Sequence, residues 1–179
     1  VPELEAALSQ LLDGEVTLSV LTSASDLKAF RKGTIDATRA IIRDPQMLEA
    51  SDAWYRHSKD DIKKHRDGVT LDATGQGAHI RFFGKIFSRP SAKAGGDHWL
   101  AATKTMQTTG GAFAILSTPT LESWEAAVRC GAIYQRMHLW ATTVGLAFQP
   151  LNQLAERRDR EVSEGLDPEY GDRLSAWTS

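Results

Sequence analysis

A single cysteine, Cys130, stands in a chain of 179 residues. Its isolation excludes an intrachain disulfide framework and any cysteine-rich zinc site. Neither sign of charge dominates: 21 Lys and Arg face 23 Asp and Glu, giving a formal net charge of −2 and a pI near 6.2. A general nucleic-acid or membrane-surface binder draws on a basic field that this composition does not supply, so neither partner is expected. No apolar run approaches the ~20 residues a spanning helix needs, and the first residues lack the charged-then-apolar pattern of a secretory signal. A soluble, cytoplasmic protein is expected, the alternative being export by a signal absent from this chain. The sequence opens at Val1 with neither an initiator methionine nor a targeting element, as in a processed form or a piece of a longer protein.

What is present suffices for an ordinary core. With 41% apolar and 25% charged residues, a chain of this length buries roughly 70% of the surface it exposes when unfolded. One domain over residues 1–179 is the expectation. Pro2 and the Leu and Ala positions up to Leu12 read as a short helix closed by Asp13-Gly14. Val16, Leu18 and Val20 alternate with Thr17, Ser19 and Leu21 as a strand. Ser23 to Asp26 offers caps for a helix reaching about Arg43, with Leu27, Phe30, Ile35, Ala37, Ile41 and Ile42 on its buried side and Gly33 as an interruption. Asp44-Pro45 caps a further helix through Met47, Leu48, Ala50 and Trp54, with a break near Ser58. From Arg56 to Arg66 five basic and two acidic residues read as a solvated face, ended by Asp67-Gly68.

Between Asp72 and Gly111 the glycines and the Ser88-Arg89-Pro90-Ser91 break read as short helices and loop. Phe82, Phe83, Ile86, Phe87 and Trp99 require that this segment dock, because exposing each forfeits roughly 1.5–3 kcal/mol. Ala112 to Ser117 is a continuous apolar run, as in a central strand covered on both faces. Residues 122–144 form a helix with Ala126, Cys130, Ile133, Met137, Trp140 and Val144 on one stripe. Ala127, Gly131, Tyr134, His138 and Ala141 make a second, smaller one. Gly145 ends this helix, Leu146 to Leu151 reads as another strand, and surface helices fill the remainder.

Chemistry is sparse. His57, His65, His79, His98 and His138 are dispersed, without ligand spacing to Asp, Glu or Cys, so no metal is expected. No Gly-x-Ser-x-Gly elbow occurs. Cys130 falls on an apolar stripe and reads as core. The Gly75-x-Gly77 pair lacks a preceding strand and a third glycine, and reads as a turn. Catalytic residues are not identifiable from the residues alone. The stretch Gln149-Pro150-Leu151-Asn152-Gln153 closes the strand expected after the buried helix. Its proline and amides suit either an ordinary strand end or one whose main-chain N–H groups face a planar heteroaromatic ligand.

The run Gly131-Ala132-Ile133-Tyr134-Gln135-Arg136-Met137-His138-Leu139-Trp140-Ala141-Thr142, with Gly145-Leu146-Ala147 and Gln149 to Gln153, resembles the signature helix and strand of the Acg-like branch of the nitroreductase superfamily. Weaker resemblance extends over Val1-Pro2, the Trp54 helix, Arg66-Asp67-Gly68 and the strand before Ser117-Thr118. It implies an α+β, nitroreductase-like fold, an antiparallel or mixed sheet flanked by helices, and the second of two such halves in a longer protein. It further implies FMN held where halves pair, with Gln149, Pro150, Leu151, Asn152 and Gln153 beside the isoalloxazine. Hydride would pass from NAD(P)H through the flavin to a nitroaromatic, quinone or similar small acceptor.

Nitroreductase-like modules carry an Arg-x-Ser/Thr-x-Arg element upstream and a basic segment near the C-terminus for the FMN phosphate. Neither is in this sequence, so the isolated piece is expected to hold FMN weakly. Residues 72–110 fall where the family places a lid or insertion. The resemblance also accommodates a catalytically weak flavin-sequestering protein, and a pairing module without ligand whose partner is the other half or a second copy.

Overall fold

The computed structural model describes residues 2–56, 58–74, 77–84, 92–120 and 123–178. Helices predominate. In chain order they are α1 (Pro2–Ser9), α2 (Ala24–Arg43), α3 (Pro45–Ala53), α4 (Lys59–His65), α5 (Ala78–Gly84), α6 (Ala92–Ala102), α7 (Trp124–Thr143), α8 (Gln153–Glu164) and α9 (Glu169–Thr178). The strands are β1 (Thr17–Leu21), β2 (Tyr55–Arg56), β3 (Val69–Thr70) and β4 (Phe113–Ser117). A 3₁₀ turn, Leu71–Thr74, follows β3, and a π turn, Thr103–Gln107, follows α6. The class is α+β, with β1 antiparallel to β4 and β2 parallel to β3.

The chain divides into two compact units, residues 1–37 with 104–179, and residues 38–103. In the first, β1 and β4 form a two-stranded ribbon in which Thr17 faces Ser117 and Leu21 faces Phe113. A ribbon of two strands is marginal in water by itself and needs apolar cover. Successive side chains leave opposite faces, and both faces of this one are used. On one, Leu18 and Leu116 pack on a core of Leu8, Val16, Ile133 and Met137, contributed by α1, the approach to β1, and α7. On the other, Phe113 stacks on Phe30 of α2 at 4.4 Å between ring centroids, and Phe30 meets Trp177 of α9 at 5.5 Å.

Three expectations from the sequence are corrected by the fold. Cover on both faces of Ala112 to Ser117 is present in the form just described, but the strand is not central: among the described residues β4 pairs with β1 alone. Gly33 does not interrupt α2. It is buried against Leu154 of α8, whose Cδ2 a Cβ at this position would meet at an ordinary contact distance of 3.4 Å. Phe82, expected to dock, is 63% exposed. Ile86 and Phe87 lie outside the described residues, as do His57, Gly75, Ser88 to Ser91 and the helix start at Glu122.

Local capping explains several helix starts. Asp44 accepts from the N–H groups of Gln46 and Met47 ahead of α3, with Pro45 in the first turn. Ser58 and Asp61 form a reciprocal capping box on α4. Ser123 accepts from Ala126 N–H at the start of α7. In the second unit Gly96 lies inside α6, where a Cβ would come within 2.9 Å of Ile42 Cγ2; glycine lets the helix close on that side chain.

The turn between α8 and α9 has a different device. Gly165, at φ +63, ends α8 in the left-handed region. Glu161 is buried, and its carboxylate accepts the N–H of Tyr170 at 2.9 and 3.1 Å and that of Gly171 at 3.0 Å. These are main-chain donors of the first turn of α9, which that helix cannot satisfy internally. Hydrogen bonds to a charged acceptor contribute roughly 1.5–3 kcal/mol. Glu161→Ala should therefore destabilise the chain by about 2 kcal/mol in urea unfolding, and Glu161→Gln by less, since one side-chain oxygen remains. Equal stability of Glu161→Ala and the parent chain would show that the cap is dispensable.

Candidate functional site

The segment that joins α7 to α8 carries the residues the sequence points to. Its first part is fixed by the end of α7, where Gly145 takes φ +74. The N–H of Gly145 donates to Thr142 O at 3.3 Å and that of Leu146 to Ala141 O at 2.9 Å. This is the six-to-one and five-to-two pair of a Schellman ending, for which glycine is suited. Three residues on, Phe148 packs against the Ile133 and Met137 core. The chain is thus tied at both ends of a short run.

Leu146 to Leu151 is not a strand, contrary to its sequence pattern; residues 146–152 are irregular. The reason is physical. The Schellman ending turns the chain at Gly145 and Pro150 removes a ladder donor. What remains is a connection that exposes Gln149, Pro150 and Asn152 and half-buries Leu151. The main-chain N–H groups of Gln149, Leu151 and Asn152 donate to no main-chain acceptor among the described residues.

Asn152 stands at the N-cap of α8 with φ −101 and ψ −3, and its side chain makes no capping bond. Its Nδ2 instead donates to Glu156 Oε1 at 3.1 Å. Gln153 differs from its neighbours. It is 6% exposed, and its Nε2 donates to Gln107 Oε1 at 3.4 Å. Gln153 Oε1 is buried with no hydrogen-bond partner among the described residues. Four of the five candidate residues therefore lie toward solvent or half-exposed, and the fifth turns inward. The sequence holds no signal for that inward turn, because an amide at a helix start is ordinarily a surface residue.

Chemically, the segment offers a short series of N–H donors without main-chain acceptors among the described residues, broken by Pro150 and followed by the positive end of a helix of 12 residues. Such a set suits the acceptor atoms along the edge of a planar heterocycle. The donors fit the isoalloxazine edge of FMN in kind.

Other candidates are less suited. Cys130 is half-buried beside the same core, and burial pushes its thiol above the ordinary range. His138 stacks on Tyr134 at 6.0 Å between centroids. Among the described residues no group of three His, Cys, Asp or Glu could hold a metal ion. No described helix is long and apolar enough to cross a membrane. Of the expected lid over 72–110, residues 75–76 and 85–91 lie outside the described residues, and the rest is built of short helices and turns. One feature had no counterpart in the sequence pattern: an open cavity of about 280 Å³ between α8 and α9, lined by Arg158, Glu161, Val162, Leu166, Asp172 and Ser175.

No family model, curated protein or solved structure matches the chain.

The thiol provides a direct check on the packing under this site. A raised pKa means less thiolate at neutral pH, and thiolate is the reactive form. Iodoacetamide should modify Cys130 slowly in the folded chain at pH 7 and faster in denaturant, as followed by mass spectrometry. Equal rates in both states would place Cys130 outside the core.

Proposed function

We propose that this chain is one half of an FMN-dependent oxidoreductase of nitroreductase type, passing hydride from NAD(P)H through the flavin to a nitroaromatic, quinone or similar small acceptor. The reading starts from the resemblance of residues 131–153 to the Acg-like branch. The observation that carries it is the run of main-chain N–H groups at Gln149, Leu151 and Asn152 that meet no main-chain acceptor among the described residues, held between Phe148 in the core and the start of α8.

FMN supplies the hydride chemistry when bound. The chain's part is placement. Leu151 and Asn152 would offer N–H groups to ring acceptors, and Pro150 restricts the backbone between them and Gln149. The N-terminus of α8 adds the equivalent of roughly half a positive charge next to Asn152, which favours an electron-rich ring edge. The Schellman ending at Gly145 and the anchored Phe148 fix the segment before any ligand arrives, so little ordering entropy remains to be lost on binding.

A second reading, a pairing module without ligand, is favoured by a separate observation. Large apolar residues of α7 and its continuation, Trp124, Val128, Leu139, Val144 and Leu146, are exposed.

The test compares flavin absorbance and NADPH oxidation, with a quinone or nitroaromatic acceptor, for this chain alone and for a polypeptide that joins it to a second such half. Flavin retained by the joined protein, with turnover, is the expected result. Asn152→Pro should weaken flavin binding by roughly tenfold, the loss of about one hydrogen bond, and Asn152→Ala by less, because the contact is through the main chain. A joined protein that binds no flavin refutes the oxidoreductase reading, and equal losses in the two variants would transfer the contact to the side chain.

A further inference from the structure

The open cavity of about 280 Å³ beside Glu161 is lined by α8, α9 and the turn between them alone. Helix α9 sends Arg173 and Trp177 to Asp36 and Phe30 of α2. Its opposite face, at Gly171 and Asp172, lines the cavity together with Arg158, Glu161 and Val162 of α8. Spacings of three and four residues keep such positions on one side of a helix. The walls are partly aliphatic: Val162 is 68% exposed and Leu166 50%, with Pro168 beside them.

The polar groups of the cavity favour one sign of charge. Asp172 is exposed, and its carboxylate forms no ion pair among the described residues. Arg158 is engaged elsewhere, donating to Asp159 Oδ1 at 3.1 Å. The positive end of α9 is already answered, because Glu161 accepts the N–H groups of Tyr170 and Gly171. The negative end of α8 is not. That helix has no basic residue in its last turn, and the carbonyls of Val162, Ser163 and Glu164 accept no main-chain N–H among the described residues. A helix C-terminus carries the equivalent of roughly half a negative charge and favours a cation.

Gly171 leaves the floor open. A Cβ there would lie 3.6 Å from Arg158 Cγ and 3.7 Å from both Glu161 Oε2 and Pro168 Cβ, in ordinary contact with each. A methyl group would fit without displacing a neighbour, and alanine is the better helix former. The space it would fill is therefore not one that packing demands.

We propose that this cavity binds a short aliphatic ammonium ion, its charged head at Asp172 and the carbonyl end of α8, its hydrocarbon on Val162, Leu166 and Pro168. At the roughly 30 Å³ that a water occupies in the liquid, the volume takes about nine non-hydrogen atoms. A metal ion is a poorer fit, since no group of three His, Cys, Asp or Glu among the described residues could hold one and aliphatic walls add nothing to its binding. An anion meets the Asp172 carboxylate. Affinity is weak, in the millimolar range, because the site is open and an exposed ion pair contributes little by itself. The charge selects the ligand, and covering Val162 and Leu166 retains it.

The test is a titration of the chain followed by two-dimensional ¹H–¹⁵N NMR, with n-hexylammonium chloride, 1-hexanol and sodium hexanoate as probes of equal chain length. Hexylammonium should shift the amides of Leu166, Gly171 and Asp172 saturably, hexanol should bind about fivefold more weakly, and hexanoate should produce no saturable shift there. Asp172→Asn should abolish the preference for hexylammonium over hexanol. Gly171→Ala should weaken both by about threefold or more, since its methyl takes the floor. Val162→Ser, at an exposed position that folding does not depend on, should weaken both as well. Circular dichroism checks that each variant folds. Hexylammonium and hexanol binding alike to the parent chain, saturable shifts that fall elsewhere or nowhere, or a preference that survives Asp172→Asn overturns the proposal, as does full affinity in Gly171→Ala and Val162→Ser. Flavin has no part in this site, so its presence or absence in the chain leaves the proposal standing.

Discussion

The first unit depends on covering the β1 and β4 ribbon from both sides. Two strands alone satisfy only their facing hydrogen bonds and bury little, so the ribbon persists because apolar side chains leave it in both directions. Leu18 and Leu116 go to the α1 and α7 core, while Phe113 goes to Phe30 and so to Trp177. Phe30 and Phe113 are buried and contribute roughly 1.5–3 kcal/mol each, and the partly buried Leu18, Leu116 and Trp177 contribute less. The placement of α7, and therefore of the chain beyond Gly145, is a consequence of that cover. Phe148 joins the same core from beyond the helix end, which makes the candidate segment an extension of the ribbon's packing.

A second constraint acts where α8 and α9 meet. Glu161 could have been a costly residue, since burying a carboxylate without partners is strongly unfavourable. Main-chain donors of Tyr170 and Gly171 remove that penalty, and the carboxylate in turn removes theirs. Arg157 and Arg173 lie over the Tyr170 ring at 5.7 and 5.2 Å. Burial, followed by the charge of Glu169, pushes the Tyr170 phenol above its ordinary range, with the arginines acting against it. The tyrosine thus remains a neutral packing element, and α9 keeps Trp177 against Phe30.

Much of this architecture is legible in the sequence, and the exceptions share a cause. The helices that begin at Ala24 and Pro45 follow the caps expected at Ser23 to Asp26 and at Asp44, whereas the caps Ser58 and Ser123 of the helices that begin at Lys59 and Trp124 are evident only in the fold. The left-handed turns at Gly14, Gly68 and Gly145 stand where Asp-Gly pairs or a helix end announce them. Those are local signals, complete within a few residues. Gly96 misleads because its role is to admit a side chain from elsewhere, that of Ile42. The false strand at Leu146 to Leu151 has the same origin: alternation describes what a strand would look like, but whether one forms depends on an available edge and on the course the chain has already been given. Gln153 and Glu161 are unreadable because their burial depends on Gln107 and on the start of α9.

The exposed face of α7 and the donors of the connecting segment bear on each other. Leu139 leads toward Thr142, and beyond the helix end Leu146 is exposed as well, only a few residues before Gln149. Any helix laid along that face would end near the segment whose N–H groups lack main-chain acceptors. Water competes well for lone N–H donors at an open surface and poorly at the rim of a contact. However well the segment is pinned by Phe148 and Gly145, a single chain presents these donors largely to solvent, so any planar ligand held there would need a second surface to exclude water.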